Sequence, residues 1–168
     1  TFMFPWGLSA ASTTRVGNLL GEGNIDEARR TSNWSLWLTT GIMAFIGSCV
    51  FVLGPVIPSI FTRDSEVLAL ATGLLPIAAG FQIFDGIQAV SAGILRGAGQ
   101  TIPAAVMGLI GFPLITLPVG YYLTFERQWG LPGIWWAFMI GLIIAATLLT
   151  SWFWISSRNW KPLKRPLD

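Results

Sequence analysis

From Val67 to Leu95 the chain holds a single ionisable side chain, Asp85, in an otherwise apolar run. A helix crosses the hydrocarbon core of a bilayer with about twenty largely apolar residues, and this run is long enough. Four other segments qualify or nearly qualify: residues 1–20, polar towards their end, then 34–60, 102–125 and 134–155. Hydrocarbon offers no water to unpaired backbone N–H and C=O groups, so such segments span as helices. The expected fold is therefore all-α: a polytopic transmembrane helix bundle of about five spans over residues 1–157, with a basic tail at 158–168. Composition agrees. Only 11% of residues are charged, against about a quarter in soluble domains, too few to cover a water-facing surface.

The same composition excludes several classes of function. A net charge of +2, widely dispersed, gives no footprint for a nucleic acid. The absence of His removes the commonest general base and metal ligand. Cys49 is the one cysteine, so neither an intrachain disulfide nor a cysteine metal cluster is expected. The chain opens on Thr1-Phe2-Met3-Phe4-Pro5-Trp6, without a basic n-region, which reads as the interior of a membrane helix rather than a signal peptide.

Turn chemistry sets the boundaries. Gly21-Glu22-Gly23-Asn24 is a turn in which Asn24 can cap a helix carrying Asp26 and Glu27 in its first turn, entering the membrane near Trp34. Pro55 and Pro58 bend or end the second span, Asp64 or Ser65 caps the third, and Gly130-Leu131-Pro132-Gly133 precedes the fifth. If successive links alternate sides, one side holds Arg15, Arg29, Arg30, Arg96, Arg158, Lys161, Lys164 and Arg165, and the other only Arg63 and Arg127. Positive charge marks the cytoplasmic side, so the C-terminus is expected there. Arg15 and Arg96 then read as snorkelling topology markers, and the tail as a cluster near anionic headgroups.

Asp85 lies eleven residues before Arg96. At 1.5 Å per residue that is roughly 16 Å from the cytoplasmic end, close to the middle of a core about 30 Å thick. A carboxylate at that depth must meet a proton, a cation or a partner, and intramembrane acids are functional by default. Gln82 and Gln88, three residues either side, share broadly its helix face and carry amide groups suited to a cation site or to holding a carboxylate. The plainer alternative is an Asp that only bonds a neighbouring helix. Small residues at fourfold spacing, Ala89-x-x-x-Gly93-x-x-x-Gly97 and Ala137-x-x-x-Gly141-x-x-x-Ala145, are expected to pack helices closely. Pro76, Pro113 and Pro118 should kink their spans and free backbone carbonyls.

Three stretches together resemble the multidrug and toxic compound extrusion (MATE) family. They are Thr14-Arg15-Val16-Gly17-Asn18-Leu19-Leu20-Gly21-Glu22-Gly23-Asn24 with Ala28-Arg29; Phe84-Asp85-Gly86-Ile87-Gln88 leading to Gly93-Ile94-Leu95-Arg96-Gly97-Ala98-Gly99; and Leu117-Pro118-Val119-Gly120-Tyr121 followed by Gly130-Leu131-Pro132-Gly133-Ile134-Trp135. The resemblance implies part of a twelve-span transporter of two six-helix lobes, covering the latter part of the eighth span to the twelfth. It implies export of cationic, amphipathic drugs in exchange for H+ or Na+, in a bacterial plasma (inner) membrane, with the rest of the transporter as the missing partner. Asp85 matches an acid of the tenth span that couples the ion in the sodium-driven branch, together with a glutamate on the seventh span, which lies outside this sequence. Phe81 stands where that branch has a tyrosine, which leaves H+ and Na+ both open.

The expected function is thus that of a secondary active antiporter rather than an enzyme, with no cofactor beyond the coupling ion and no metal beyond Na+ at Asp85. A Gly-Lys-Ser/Thr phosphate loop is absent from the sequence. The rivals are a lipid-precursor flippase of related architecture, an intramembrane aspartyl protease, which would need a second acid, and a non-transporting membrane assembly subunit.

Overall fold

The computed structural model describes residues 2–54 and 56–162, and among these the regular elements are all helices, without a strand. Thr1, Pro55 and the tail residues Lys164 and Arg165, given roles above, lie outside the described residues. The helices are α1 (Met3–Gly21), α2 (Ile25–Leu53), α3 (Ile57–Phe61), α4 (Ser65–Gly97), α5 (Thr101–Leu109), α6 (Ile115–Tyr121) and α7 (Leu131–Ser157). Local chemistry explains the starts. The Asn24 side chain accepts from the Glu27 N–H at 3.4 Å, and Asp64, rather than Ser65, caps α4 by accepting from the Glu66 and Val67 N–H groups. Gly130 takes φ +59°, a left-handed turn that glycine alone enters freely, and α7 follows directly.

Two spans differ from their expected form. The second is a helix from Ile25 to Leu53 that stops at Gly54, after which the chain restarts as the five-residue α3. The fourth is not one α-helix. Wider π turns at Ile110–Leu114 and Tyr122–Glu126 interrupt it, the first containing Pro113 and the second following Pro118 of α6. Each proline lacks an N–H and crowds the carbonyl four residues back, Leu109 for Pro113 and Leu114 for Pro118, and the first π turn, which lies between those two carbonyls, takes up the misfit; the second π turn contains no proline. Consequently three helices, α2, α4 and α7, are each long and apolar enough to cross a membrane unbroken. α1 is a continuous helix of 19 residues whose apolar run is interrupted by Ser9, Ser12, Thr13, Thr14 and Arg15.

α4 is the centre, with α1, α2 and α7 packed around it and the broken fourth segment laid along α7. The small-residue stripes make these contacts. Ser9 Oγ donates to the Ala89 carbonyl at 2.7 Å and Thr13 Oγ1 to the Gly93 carbonyl at 2.9 Å, so α1 and α4 run parallel at a constant offset of 80 residues. A Cβ on Gly93 would strike Ser9, and one on Gly97 would strike the Thr13 carbonyl. On α7 the stripe is longer than the sequence pattern suggested. Gly133 lies against Thr124, Ala137 against Gly120, Gly141 against Thr116, and Ala145 against Gly111 in the first π turn.

Packing is uneven along the bundle. Val16, Leu19, Leu20, Val90, Ile94, Leu95, Leu149, Phe153 and Trp160 form the core at the end that carries Arg29, Arg96 and Arg158. At the other end Ile60, Phe61, Val67 and Leu70 are exposed. The basic end is tied by Arg29, whose Nε donates to the Ser157 carbonyl at 2.7 Å and Nη2 to the Arg158 carbonyl at 3.1 Å, capping the last turn of α7 with positive charge. Replacing it, Arg29→Ala, is expected to cost about 1–2 kcal/mol. Amide exchange around Ser157 to Trp160 should accelerate in the variant; unchanged exchange there would show that the cap contributes nothing.

Candidate functional site

Within α4, Ala79 and then Gly86, Val90, Ser91, Gly93, Ile94, Leu95 and Gly97 are the buried positions. Asp85 therefore stands where the open half of the helix gives way to the packed half. Its side chain is half-buried, and the one ion pair among the described residues is Arg29–Asp26, far along the bundle at the basic end. Arg96 does not reach it: its guanidinium folds back to donate to Ser9 Oγ at 3.2 Å, at the level of Gly93. The offset of 80 between α1 and α4 puts Pro5, near the start of α1, at the level of Asp85.

The next residue, Gly86, faces α2. A Cβ there would lie 2.6 Å from Met43 Cγ and 3.0 Å from Thr39 Oγ1, so only glycine lets the two helices approach this closely. Thr39 is fully buried, and its hydroxyl has no hydrogen-bond partner among the described residues. A buried hydroxyl without a partner is costly, by about 1–3 kcal/mol, and this one faces α4 at Gly86, the residue after Asp85. Sequence reasoning missed both residues. Thr39-Thr40 in an apolar run was the available signal, but helical periodicity alone does not say which hydroxyl turns towards α4.

The other sequence-predicted residues fall as follows. Phe81, one turn before Asp85, stacks on Trp135 of α7 with ring centroids 5.8 Å apart and planes 21° apart. This joins α4 to α7 one turn before the acid. Gln82 and Gln88 are half-buried on α4, one turn to either side. Ala89, Gly93 and Gly97 lie in the α1 contact and Gly141 in the contact with Thr116, as packing elements rather than ligands. Among the described residues no group of three His, Cys, Asp or Glu side chains converges for a metal ion.

Comparison with known proteins gives this arrangement its context. The MatE family model matches residues 1–122. The chain is 39% identical over 164 residues to multidrug and toxin extrusion protein 1 of Mus musculus, covering 95% of this chain and 28% of that protein. Against the Homo sapiens protein of the same name the identity is 31% over 160 residues, with the same coverages. The chain thus spans a little over a quarter of the length of these relatives. Its fold superposes on the crystal structure of the eukaryotic MATE transporter AtDTX14 with a TM-score of 0.87 and 27% identity, over 94% of this chain and 36% of that one. An inward-facing multidrug resistance MATE transporter shares the fold at a TM-score of 0.82 and 16% identity, over 90% and 35% of the two chains. With a family model matched over most of its length, the chain belongs to the MATE family.

Proposed function

We propose that the full-length protein is a secondary active multidrug efflux antiporter, in which Asp85 carries the coupling ion. The observation that carries this reading is a half-buried acid, without an ion pair among the described residues, at the junction of the packed and open halves of α4. Such a group binds a proton or Na+ when its surroundings close and releases it when they open. If drug and ion favour opposite conformations, their differential affinities drive alternating access. Thr39 Oγ1 and the amides of Gln82 and Gln88 are the nearby groups of matching chemistry, and Phe81 on Trp135 offers a face for a flat organic cation.

Relatives named as multidrug and toxin extrusion proteins support drug-like organic cations as cargo. Their mammalian origin favours a eukaryotic membrane over the bacterial inner membrane. The lipid-precursor flippase gains nothing from the interior of the bundle, where no basic residue stands level with Asp85 among the described residues. Nor is an enzyme suggested by one acid in the apolar run from Val67 to Leu95.

The test is ethidium transport by the full-length protein in sealed vesicles, driven separately by a proton gradient and a Na+ gradient. One of the two should drive uphill movement without ATP. Transport that ignores both gradients would overturn the antiporter reading.

A further inference from the structure

On the outer face of α2, Arg30, Asn33, Trp34 and Trp37 line a groove of about 410 Å³ at the basic end of the bundle. These positions follow the three- and four-residue spacing of one helical stripe, and Trp34 and Trp37 are 63% and 72% exposed. A second cleft, of about 190 Å³, adjoins it and shares Asn33 and Trp37. That cleft descends between α2 and α7 along Leu36, Thr40, Trp154 and Thr150 to Ile87, two residues from Asp85.

The polar atoms of the pair are sharply divided. In the inner cleft they are already used: Thr40 Oγ1 donates to the Leu36 carbonyl at 2.7 Å, and Thr150 bonds Ser91 at 2.9 Å. Asn33 is committed at both ends, donating to the Arg29 carbonyl and accepting from Trp154 Nε1. The cleft therefore presents mostly hydrocarbon. At the mouth the balance is opposite. Asp26 pairs with Arg29, which leaves the Arg30 guanidinium without a carboxylate among the described residues, and the indoles of Trp34 and Trp37 have no hydrogen-bond acceptor there. Glu27, one turn before Arg30, makes no ion pair with it. The mouth thus offers donors only, with positive charge, and the cleft below offers an apolar slot running into the membrane.

We propose that this composite groove binds one anionic glycerophospholipid, its phosphodiester on Arg30 and the Trp34 and Trp37 N–H groups and one acyl chain in the α2–α7 cleft. Charge complementarity selects the headgroup: Arg30, Arg158 and Lys161 share this end of the bundle, and basic pockets between membrane helices attract acidic headgroups. Tryptophan suits the same depth, where its ring is apolar and its N–H is wet. The acyl chain packs beside Ile87, so the bound lipid buttresses the stretch of α4 that carries Asp85.

The experiment is the thermal unfolding of full-length protein held in phosphatidylcholine nanodiscs, with phosphatidylglycerol, extra phosphatidylcholine or inorganic phosphate added. Native mass spectrometry of the same samples counts bound lipid. Phosphatidylglycerol should be retained at one molecule per protein and raise Tm, phosphatidylcholine should be retained at least about tenfold less, and free phosphate should do nothing. Arg30→Gln and Trp34→Phe, both at exposed positions, should keep their Tm in phosphatidylcholine while losing the phosphatidylglycerol response. Equal retention of the two lipids, a response unaltered in Arg30→Gln, or a groove closed by another part of the full-length protein, seen as Trp34 and Trp37 shielded from a water-soluble quencher, would overturn the proposal.

Discussion

Asp85→Asn in the full-length protein is expected to reduce gradient-driven ethidium efflux to the level of vesicles without a gradient, while expression and Tm stay unchanged or improve. Asparagine keeps the shape of the side chain and removes both its charge and its exchangeable proton. No ion pair among the described residues is broken by the change, so the usual penalty of stranding a buried partner does not arise. Removing an unpaired charge from mid-membrane relieves a cost of at least about 2.5 kcal/mol for the ionised form. The two readouts must therefore separate, with stability retained and coupling lost. Full gradient-driven efflux by a folded Asp85→Asn protein would remove the residue from the mechanism and leave it as a structural acid.

The second large effect is expected at Gly97. Gly97→Ala places a methyl group against the Thr13 carbonyl, with Thr13 C and Cα each 3.1 Å away, all of them backbone atoms that cannot rotate aside. α1 and α4 must separate. Overpacking of this kind costs about 1–3 kcal/mol, and the separation also weakens the Thr13 to Gly93 bond, a membrane hydrogen bond of about 0.6 kcal/mol. Gly73→Ala in the same helix is the control, since nothing lies within 4 Å of the added carbon. A fall in Tm for Gly97→Ala with none for Gly73→Ala is the expected pair of results. Equal effects would mean that helix propensity, rather than the α1 contact, governs both. Because Asp85 lies three turns along the same contact, Gly97→Ala should also impair efflux.

The helical class and the caps at Asn24 and Asp64 were written in the sequence, because they depend on apolar length and on side chains within three residues of the backbone they cap. Asp85 could be singled out the same way: one acid in a long apolar run stands out whatever the packing. The stripes through Gly93, Gly97 and Gly141 were legible as close-packing surfaces, but not their partners, because spacing along one helix carries no information about which helix it meets. Only the tertiary structure decided that Ser9 and Thr13 meet α4, that Gly133 joins the α7 stripe, and that Thr39 turns a buried hydroxyl towards Gly86. The form of the fourth segment was also decided there. Pro113 and Pro118 promise a disturbance, yet whether it becomes a kink, a break or a π turn depends on what the helix must lie against, and here it lies against Gly141 and Ala145. Local chemistry is settled within a turn or two of the chain, whereas the contact of Thr39 with Gly86 and the cleft between α2 and α7 are made by residues tens of positions apart, which only packing brings together.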